Sequence, residues 1–156
     1  HQTLEATSKE QLPVSKKTFL SFELVEHLQD PKNFFNHVLS LMNKDEWFIF
    51  TTLSSMGIDI DLLQEKSKAV SPPHHINFFN PSSIEILLKN CGFSNIDVST
   101  PGKLDMDILK KNVHQIANPL WKKLIGVMDE DELSDCQTWI QKAKLSSHMM
   151  VWCQKK

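Results

Sequence analysis

The stretch of sequence that decides the fold is Thr18-Phe19-Leu20-Ser21-Phe22-Glu23-Leu24-Val25-Glu26-His27-Leu28-Gln29-Asp30-Pro31. Its short β-prone apolar run passes directly into charged residues, a pattern typical of a buried strand whose C-terminal end opens on a site. Asp30-Pro31 predicts the start of a helix, because aspartate accepts a free backbone N–H and proline fixes the first helical residue. The stretch therefore predicts a strand, a charged turn and a helix.

The rest of the chain continues this alternation. Trp47 to Leu53 is a nearly continuous apolar and β-branched run, which predicts a second strand parallel to the first, both in the centre of a sheet. Asn80-Pro81 starts another helix, and Gly92 ends it. Further strands are predicted at 93–100 and 147–153, with helices over 104–143 between them. Such alternation predicts an α/β fold with a mostly parallel sheet, preceded by a polar lead-in at residues 1–17.

Composition excludes several classes of protein. The chain has 156 residues and a net charge of -2, and all its basic residues are lysine, so it lacks the guanidinium fork that grips phosphate or guanine. Three separated cysteines in apolar patterns indicate reduced thiols without a disulfide, and hence the cytoplasm. The sequence contains no apolar run of the roughly 20 residues that a membrane helix needs. We therefore expect a cytoplasmic protein without a membrane segment.

Four motifs carry a resemblance to a known family. They are Ser21 to Leu28 with Asp30-Pro31, Trp47 to Leu53, Pro72 to Pro81 followed by Cys91-Gly92-Phe93, and Met149 to Cys153. In this order they resemble the second half of the class I S-adenosylmethionine-dependent methyltransferases, whose usual Pro-Gly-Gly before the fifth strand is here Asn43 to Glu46. The resemblance implies a Rossmann-like methyltransferase fold with an antiparallel last strand.

The resemblance also implies that the first half of the fold is absent. The family holds its cofactor with a glycine-rich turn after the first strand and an acidic residue after the second, and the four glycines here form no such turn. Residues 18–156 are accordingly predicted to be the C-terminal half of a methyltransferase domain, with a helical insertion at about 104–143. A four-stranded sheet of this kind leaves one edge unpaired, so an upstream half or a partner chain should cover it.

A metal hypothesis follows from the same resemblance. In small-RNA 2′-O-methyltransferases and ubiquinone-pathway O-methyltransferases, a similar Glu-x-x-Glu-His array with a later histidine binds a divalent cation. Glu23, Glu26, His27 and His75 are therefore candidate ligands for Mg²⁺, which would orient the substrate hydroxyl and lower its pKa. The alternative is structural, with the histidine bonded to backbone and the glutamate capping a turn. Asp105 and Asp107 are interpreted as helix-start acids.

The function predicted is methyl transfer from S-adenosylmethionine to oxygen or nitrogen of an unidentified acceptor, either a small molecule or RNA. Phe22 and Glu23, directly after the first strand, are the candidate cofactor contacts. The alternative is a non-catalytic half-fold that acts as a structural or regulatory partner of a methyltransferase. Catalysis in this fold is mainly alignment of the two reactants, so the sequence identifies no catalytic residue.

Overall fold

The computed structural model describes residues 7–13 and 15–156. The elements found there are β1 (Thr18–Ser21), α1 (Pro31–Leu41), β2 (Trp47–Leu53), α2 (Ile58–Leu63), α3 (Pro81–Cys91), β3 (Phe93–Ser99), α4 (Asp105–Lys111), α5 (Pro119–Val127), α6 (Glu130–Lys142) and β4 (His148–Lys155). The predicted α/β alternation is confirmed. No helix in the described ranges is both long and apolar enough to cross a membrane.

The strands form one sheet in the order β1-β2-β4-β3. β1 and β2 are parallel neighbours, whereas β4 runs antiparallel to both β2 and β3. The predicted antiparallel last strand is thus confirmed, and β1, β2 and β3 all run in one direction. The expectation of a mostly parallel sheet holds only in part, because β4 lies between two of the parallel strands. The parallel pairing of β1 with β2 is confirmed. In the described sheet β1 is an edge strand, so its central place stays a prediction for a complete sheet.

Local sequence signals fix the ends of the two helices that pack on the sheet. The Asp30 side chain accepts the Asn33 N–H at 2.9 Å, and Asn80 accepts the Ser83 N–H at 2.8 Å. Each cap satisfies a backbone donor that the first helical turn leaves free. At the end of α3, Gly92 has a φ of 104°, a left-handed conformation that strains residues with a side chain.

One face of the sheet carries the main hydrophobic core. Phe35 of α1 and Leu88 of α3 pack there against Phe48 and Phe50 of β2 and Val151 of β4. The opposite face is largely uncovered. Leu20 is 59% exposed on it, and Trp152 is 40% exposed beside Trp47, with 6.2 Å between the indole centroids. The described part of the chain therefore buries one face of its sheet and leaves large apolar side chains of the other face exposed.

The helical segment between β3 and β4 builds a second core. Met106 and Leu109 of α4, Ile125 of α5 and Ile140 of α6 pack together with Leu63 of α2. The predicted helices at 104–143 are therefore confirmed as helices. Their origin as an insertion into the family fold stays a prediction.

The predicted lead-in lies partly outside the described residues, which lack 1–6 and 14. Where it is described, it contacts the body of the chain. Lys17 forms an ion pair with the buried Glu46, with 3.1 Å between Nζ and Oε1. Burial raises the pKa of Glu46, but hydrogen bonds from Asn43 and Lys17 outweigh it and lower this pKa to about 2.

Candidate functional site

Three strand ends bring polar side chains to one edge of the sheet. The parallel strands β1 and β2 both finish there, and the antiparallel β4 begins there, with His148 opposite Leu53. The turn after β1 contains Glu23, Glu26 and His27, and the segment after β2 returns to the same edge, where Ser54 pairs with Phe79. The carboxyl edge of an open α/β sheet is the usual place for a binding site.

Glu23 is held in a strained conformation at this edge. Its φ is 48°, in the left-handed region that non-glycine residues rarely adopt. Its N–H donates to the Thr51 carbonyl oxygen at 3.2 Å, and its Oε1 accepts the Thr51 hydroxyl at 2.6 Å. Nδ1 of His148 lies 3.4 Å from the same carboxylate oxygen. Such strain persists only where surrounding contacts impose it, and it is common at functional sites.

Glu26 points elsewhere and is fully buried. Its Oε2 accepts the Thr52 hydroxyl at 2.8 Å, and its side chain is 1% exposed. Its carbonyl oxygen accepts the N–H groups of Ile76 and Asn77 at 2.8 and 3.1 Å. Glu26 therefore ties the segment after β2 to the turn after β1, which is a structural role.

His27 and His75 lie side by side, with 4.9 Å between ring centroids. Nδ1 of His27 donates to the carbonyl oxygen of His74 at 2.7 Å, and Nδ1 of His75 donates to that of Ala69 at 2.7 Å. Because a carbonyl oxygen only accepts, each contact places a proton on Nδ1. Both rings are thus oriented by backbone.

The structure does not assemble the four predicted metal ligands. Thr51 and Thr52 are consecutive residues of β2, so their side chains leave opposite faces of the sheet, and the carboxylates bonded to them are separated in the same way. In the described ranges, no group of three or more histidine, cysteine, aspartate or glutamate side chains could hold a metal ion. The described structure therefore gives the Mg²⁺ hypothesis no support, because Glu26 faces the core and Glu23 lies on the other face of the sheet.

Two residues at the end of β1 bear on the predicted cofactor contacts. At the end of β1, the buried Ser21 hydroxyl has no hydrogen-bond partner, and Phe22 is 60% exposed. Gly57 and Gly102 do not form an open cradle, because a Cβ on either would meet Ser147 or Ser146. The assignment of Phe22 and Glu23 to the cofactor stays a prediction.

A family model described as a methyltransferase domain matches residues 18–98, just over half of the chain. The chain belongs to this methyltransferase-domain family. No curated protein gives a significant sequence match. The family assignment agrees with the strand order, the antiparallel last strand and the polar groups at the carboxyl edge.

Solved structures show the same fold at low sequence identity. A methyltransferase from Archaeoglobus fulgidus is 12% identical, with a TM-score of 0.56 over 97% of this chain and 64% of its own. A possible histamine N-methyltransferase from Thermotoga maritima is 11% identical, with a TM-score of 0.53 over 96% and 62%. Phosphoethanolamine N-methyltransferase 2 of Haemonchus contortus, in complex with S-adenosyl-L-methionine, is 17% identical, with a TM-score of 0.52 over 88% and 33%. This methyltransferase-domain chain thus spans from about one third to just under two thirds of the length of these three structures.

Next to His148, the methyltransferase-domain chain has a cavity of about 370 Å³. It is lined by the turn from Pro101 to Asp105, by Ile108 and by the segment from Ser146 to His148. Gly102 lies against this segment, since a Cβ on it would be 3.0 Å from the His148 Cβ. The wall of the cavity is largely apolar and includes the residues Lys103 and His148.

Below the cavity, Asp105 organises a buried polar cluster. Its Oδ1 accepts the N–H and hydroxyl of Ser147 at 2.8 and 3.0 Å, and its Oδ2 accepts Ser146 and Gln137 at 2.7 Å each. Asp59 is buried close by, and its Oδ1 has no hydrogen-bond partner. Burial, reinforced by the Asp105 carboxylate, raises the pKa of Asp59 to about 6.

The raised pKa of Asp59 predicts a pH-dependent free energy of unfolding. The folded state binds this proton more tightly than the unfolded state, so its contribution is complete below pH 3.8 and is lost as pH rises to about 6. Asp59→Asn should therefore gain about 1 to 3 kcal/mol over the wild type between pH 4 and 7 in urea unfolding. Asp61→Asn, an exposed change on the same helix, should follow the wild type at every pH. A constant difference between Asp59→Asn and wild type would contradict the prediction.

His148 was missed in the sequence, where it had no recognisable partner. One feature of the sequence could have identified His148 as a site residue. It lies at the start of the antiparallel last strand, which begins at the edge where the parallel strands end. Strand alternation places its side chain on the same face of the sheet as Thr51 and Leu53. Glu23 reaches His148 from that side.

Proposed function

We propose that this chain is the C-terminal half of an S-adenosylmethionine-dependent methyltransferase domain and contributes the acceptor side of the active site. The family match over residues 18–98 carries the proposal. It is supported by the polar groups that converge where β1 and β2 end and β4 begins. The bound cofactor would supply an electrophilic methyl group, and this chain's residues would position the acceptor and exclude water.

In this proposal, the residues that bind the cofactor lie upstream of residue 18. They belong to the N-terminal half of the domain, which also covers the exposed edge and face of the sheet. Two observations support this. The outer edge of β1 is unpaired in the described sheet, and the face carrying Leu20 and Trp152 is exposed. An exposed edge strand beside an exposed apolar face is uncommon in a stable domain. The three cysteines, all free thiols, favour the reducing cytoplasm for the whole protein.

The acceptor is proposed to be a small molecule that is methylated on oxygen or nitrogen. The Haemonchus and Thermotoga structures are described as N-methyltransferases, but their identities of 17% and 11% carry only the fold to this chain. RNA is the weaker choice, because the chain has no arginine and a net charge of -2.

Transfer of a labelled methyl group tests the proposal. The full protein is incubated with tritium-labelled S-adenosylmethionine and a small-molecule extract of the cells that produce it. We expect label to enter one or a few low-molecular-weight products, and none to enter them when the protein has been heat-denatured. Absence of labelled product, with no binding of S-adenosylhomocysteine to the folded protein, would contradict the proposal.

A further inference from the structure

We propose that His148 is the catalytic base of this site, that Glu23 positions it, and that the acceptor group is a hydroxyl bound in the cavity beside it. The inference rests on the proposed function. It identifies the atom that accepts the methyl group as oxygen, where the proposed function leaves oxygen or nitrogen. It is carried by the Glu23–His148 contact, the conformation of Glu23, and the cavity that His148 lines.

The contact favours one arrangement of protons on the imidazole. Nδ1 of His148 lies 3.4 Å from the Glu23 carboxylate, which can only accept, so a hydrogen bond formed when this gap shortens is donated by Nδ1. The neutral ring then has its lone pair on Nε2. Carboxylate, imidazole and an acidic substrate group in this order are the arrangement of an oriented general base. The contact is longer than an ideal hydrogen bond, as catalytic contacts often are before substrate binds.

The carboxylate itself is fixed by a neighbouring strand. Thr51 donates its hydroxyl to Glu23 Oε1 at 2.6 Å and accepts the Glu23 N–H at its carbonyl oxygen. These contacts hold the residue at a φ of 48°, where an ordinary turn would avoid a glutamate. A glutamate that only capped the turn would not need this conformation to direct its carboxylate towards β4. The strained backbone of Glu23 is explained if its carboxylate must lie where it can orient His148.

His148 lies next to both the carboxylate and a place for an acceptor. Its side chain is 41% exposed, so the ring is accessible. The cavity of about 370 Å³ has an apolar wall that includes Leu104 and Ile108, and it has room for a small ring or short chain. Gly102 lets the cavity wall approach His148, since the space of a Cβ there is already taken by Ser146.

A base in this position favours a hydroxyl acceptor. A neutral amine has a lone pair ready to attack a methyl group, whereas a hydroxyl is a weak nucleophile until it loses its proton. In the proposed step the O–H proton moves to Nε2 of His148 while the oxygen forms a bond to the methyl carbon and the carbon–sulfur bond breaks. The products are the methyl ether, S-adenosylhomocysteine and an imidazolium stabilised by Glu23, and the imidazolium then releases its proton to water.

The tautomer of His148 tests the dyad without any turnover. In the full protein labelled with ¹⁵N-histidine, long-range ¹H–¹⁵N spectra distinguish the two neutral forms. We expect His148 to be protonated on Nδ1 in the wild type. In Glu23→Gln the side-chain amide can donate to Nδ1, so the share of the Nε2-protonated form should increase, while the exposed His114 keeps its spectrum. An Nε2-protonated His148 in the wild type would overturn the dyad.

Transfer of the labelled methyl group to the small-molecule extract tests the catalytic role. His148→Ala should lower the rate at least about 100-fold with unchanged S-adenosylhomocysteine binding, and added imidazole should restore part of it. The matched variant His114→Ala should keep the wild-type rate. A full rate in His148→Ala, a loss that imidazole does not relieve, or label found on nitrogen would overturn the inference. If the wild type neither labels a product nor binds S-adenosylhomocysteine, the proposed function is wrong. The ¹⁵N spectra of His148 still show whether Glu23 positions its ring.

Discussion

Asp105→Ala should lower the free energy of unfolding by about 3 kcal/mol or more. The Asp105 carboxylate is 2% exposed and accepts four hydrogen bonds from Gln137, Ser146 and Ser147, which belong to α6 and to the segment leading into β4. Alanine leaves these buried donors without an acceptor, and each such donor costs about 1 to 3 kcal/mol. Relief of the repulsion with Asp59 offsets only part of this loss.

Urea unfolding of the full protein at pH 7 measures the effect. Asp107→Ala is the matched control, since Asp107 lies in the first turn of the same helix but is exposed, and its loss should stay within about 0.5 kcal/mol. Equal effects of the two substitutions would show that the cluster around Asp105 does not hold the helical segment to β4.

Gly57→Ala should be the second severe substitution, with a loss of about 2 to 4 kcal/mol. Gly57 has an ordinary φ of -59°, so the reason is space and not conformation. A Cβ there would lie 2.6 Å from the Ser147 Cα and would also meet the Ser147 Cβ. Backbone cannot move aside cheaply, and a displaced Ser147 would also weaken its two hydrogen bonds to Asp105.

The control substitution should change the free energy of unfolding in the opposite direction. Gly126 lies in α5, and a Cβ on it would meet no atom within 4 Å. Gly126→Ala should therefore stabilise the protein by about 0.5 to 1 kcal/mol, because alanine loses less backbone entropy in a helix. Thermal or urea unfolding of the pair decides the matter. A Gly57→Ala protein as stable as the wild type would mean that the contact between Gly57 and Ser147 is looser than the structure has it.

Local signals in the sequence predicted the elements of this fold well. Asp30, Asn80 and Gly92 mark helix ends because each makes its stabilising contact within a few residues along the chain. The pairing of the strands is different, since it depends on partners far apart in sequence. Nothing in the pattern of 147–153 says that β4 lies between β2 and β3. Only its antiparallel direction was predicted, and that prediction came from the family resemblance.

The candidate site was also hard to predict where its contacts join side chains that are far apart in the sequence. The sequence predicted that Glu23 lies at the carboxyl edge of the sheet, and the structure has it there. It wrongly grouped Glu26 with it, because the separation depends on which face of β2 each glutamate contacts. Thr51 and Thr52 decide that, and their roles cannot be read from the Glu-x-x-Glu spacing. His148 could not be paired with Glu23 until the direction and register of β4 were known.

Binding of S-adenosylhomocysteine, measured by isothermal titration calorimetry, tests the central claim most directly. The longest natural chain that carries these residues should bind it with a dissociation constant in roughly the micromolar range. Residues 1–156 alone should bind weakly or not at all, because the cofactor grip is assigned to the upstream half. Absence of heat from the folded longest chain would contradict the methyltransferase assignment and favour a non-catalytic half-fold. Micromolar binding by residues 1–156 alone would instead contradict the upstream position of the grip.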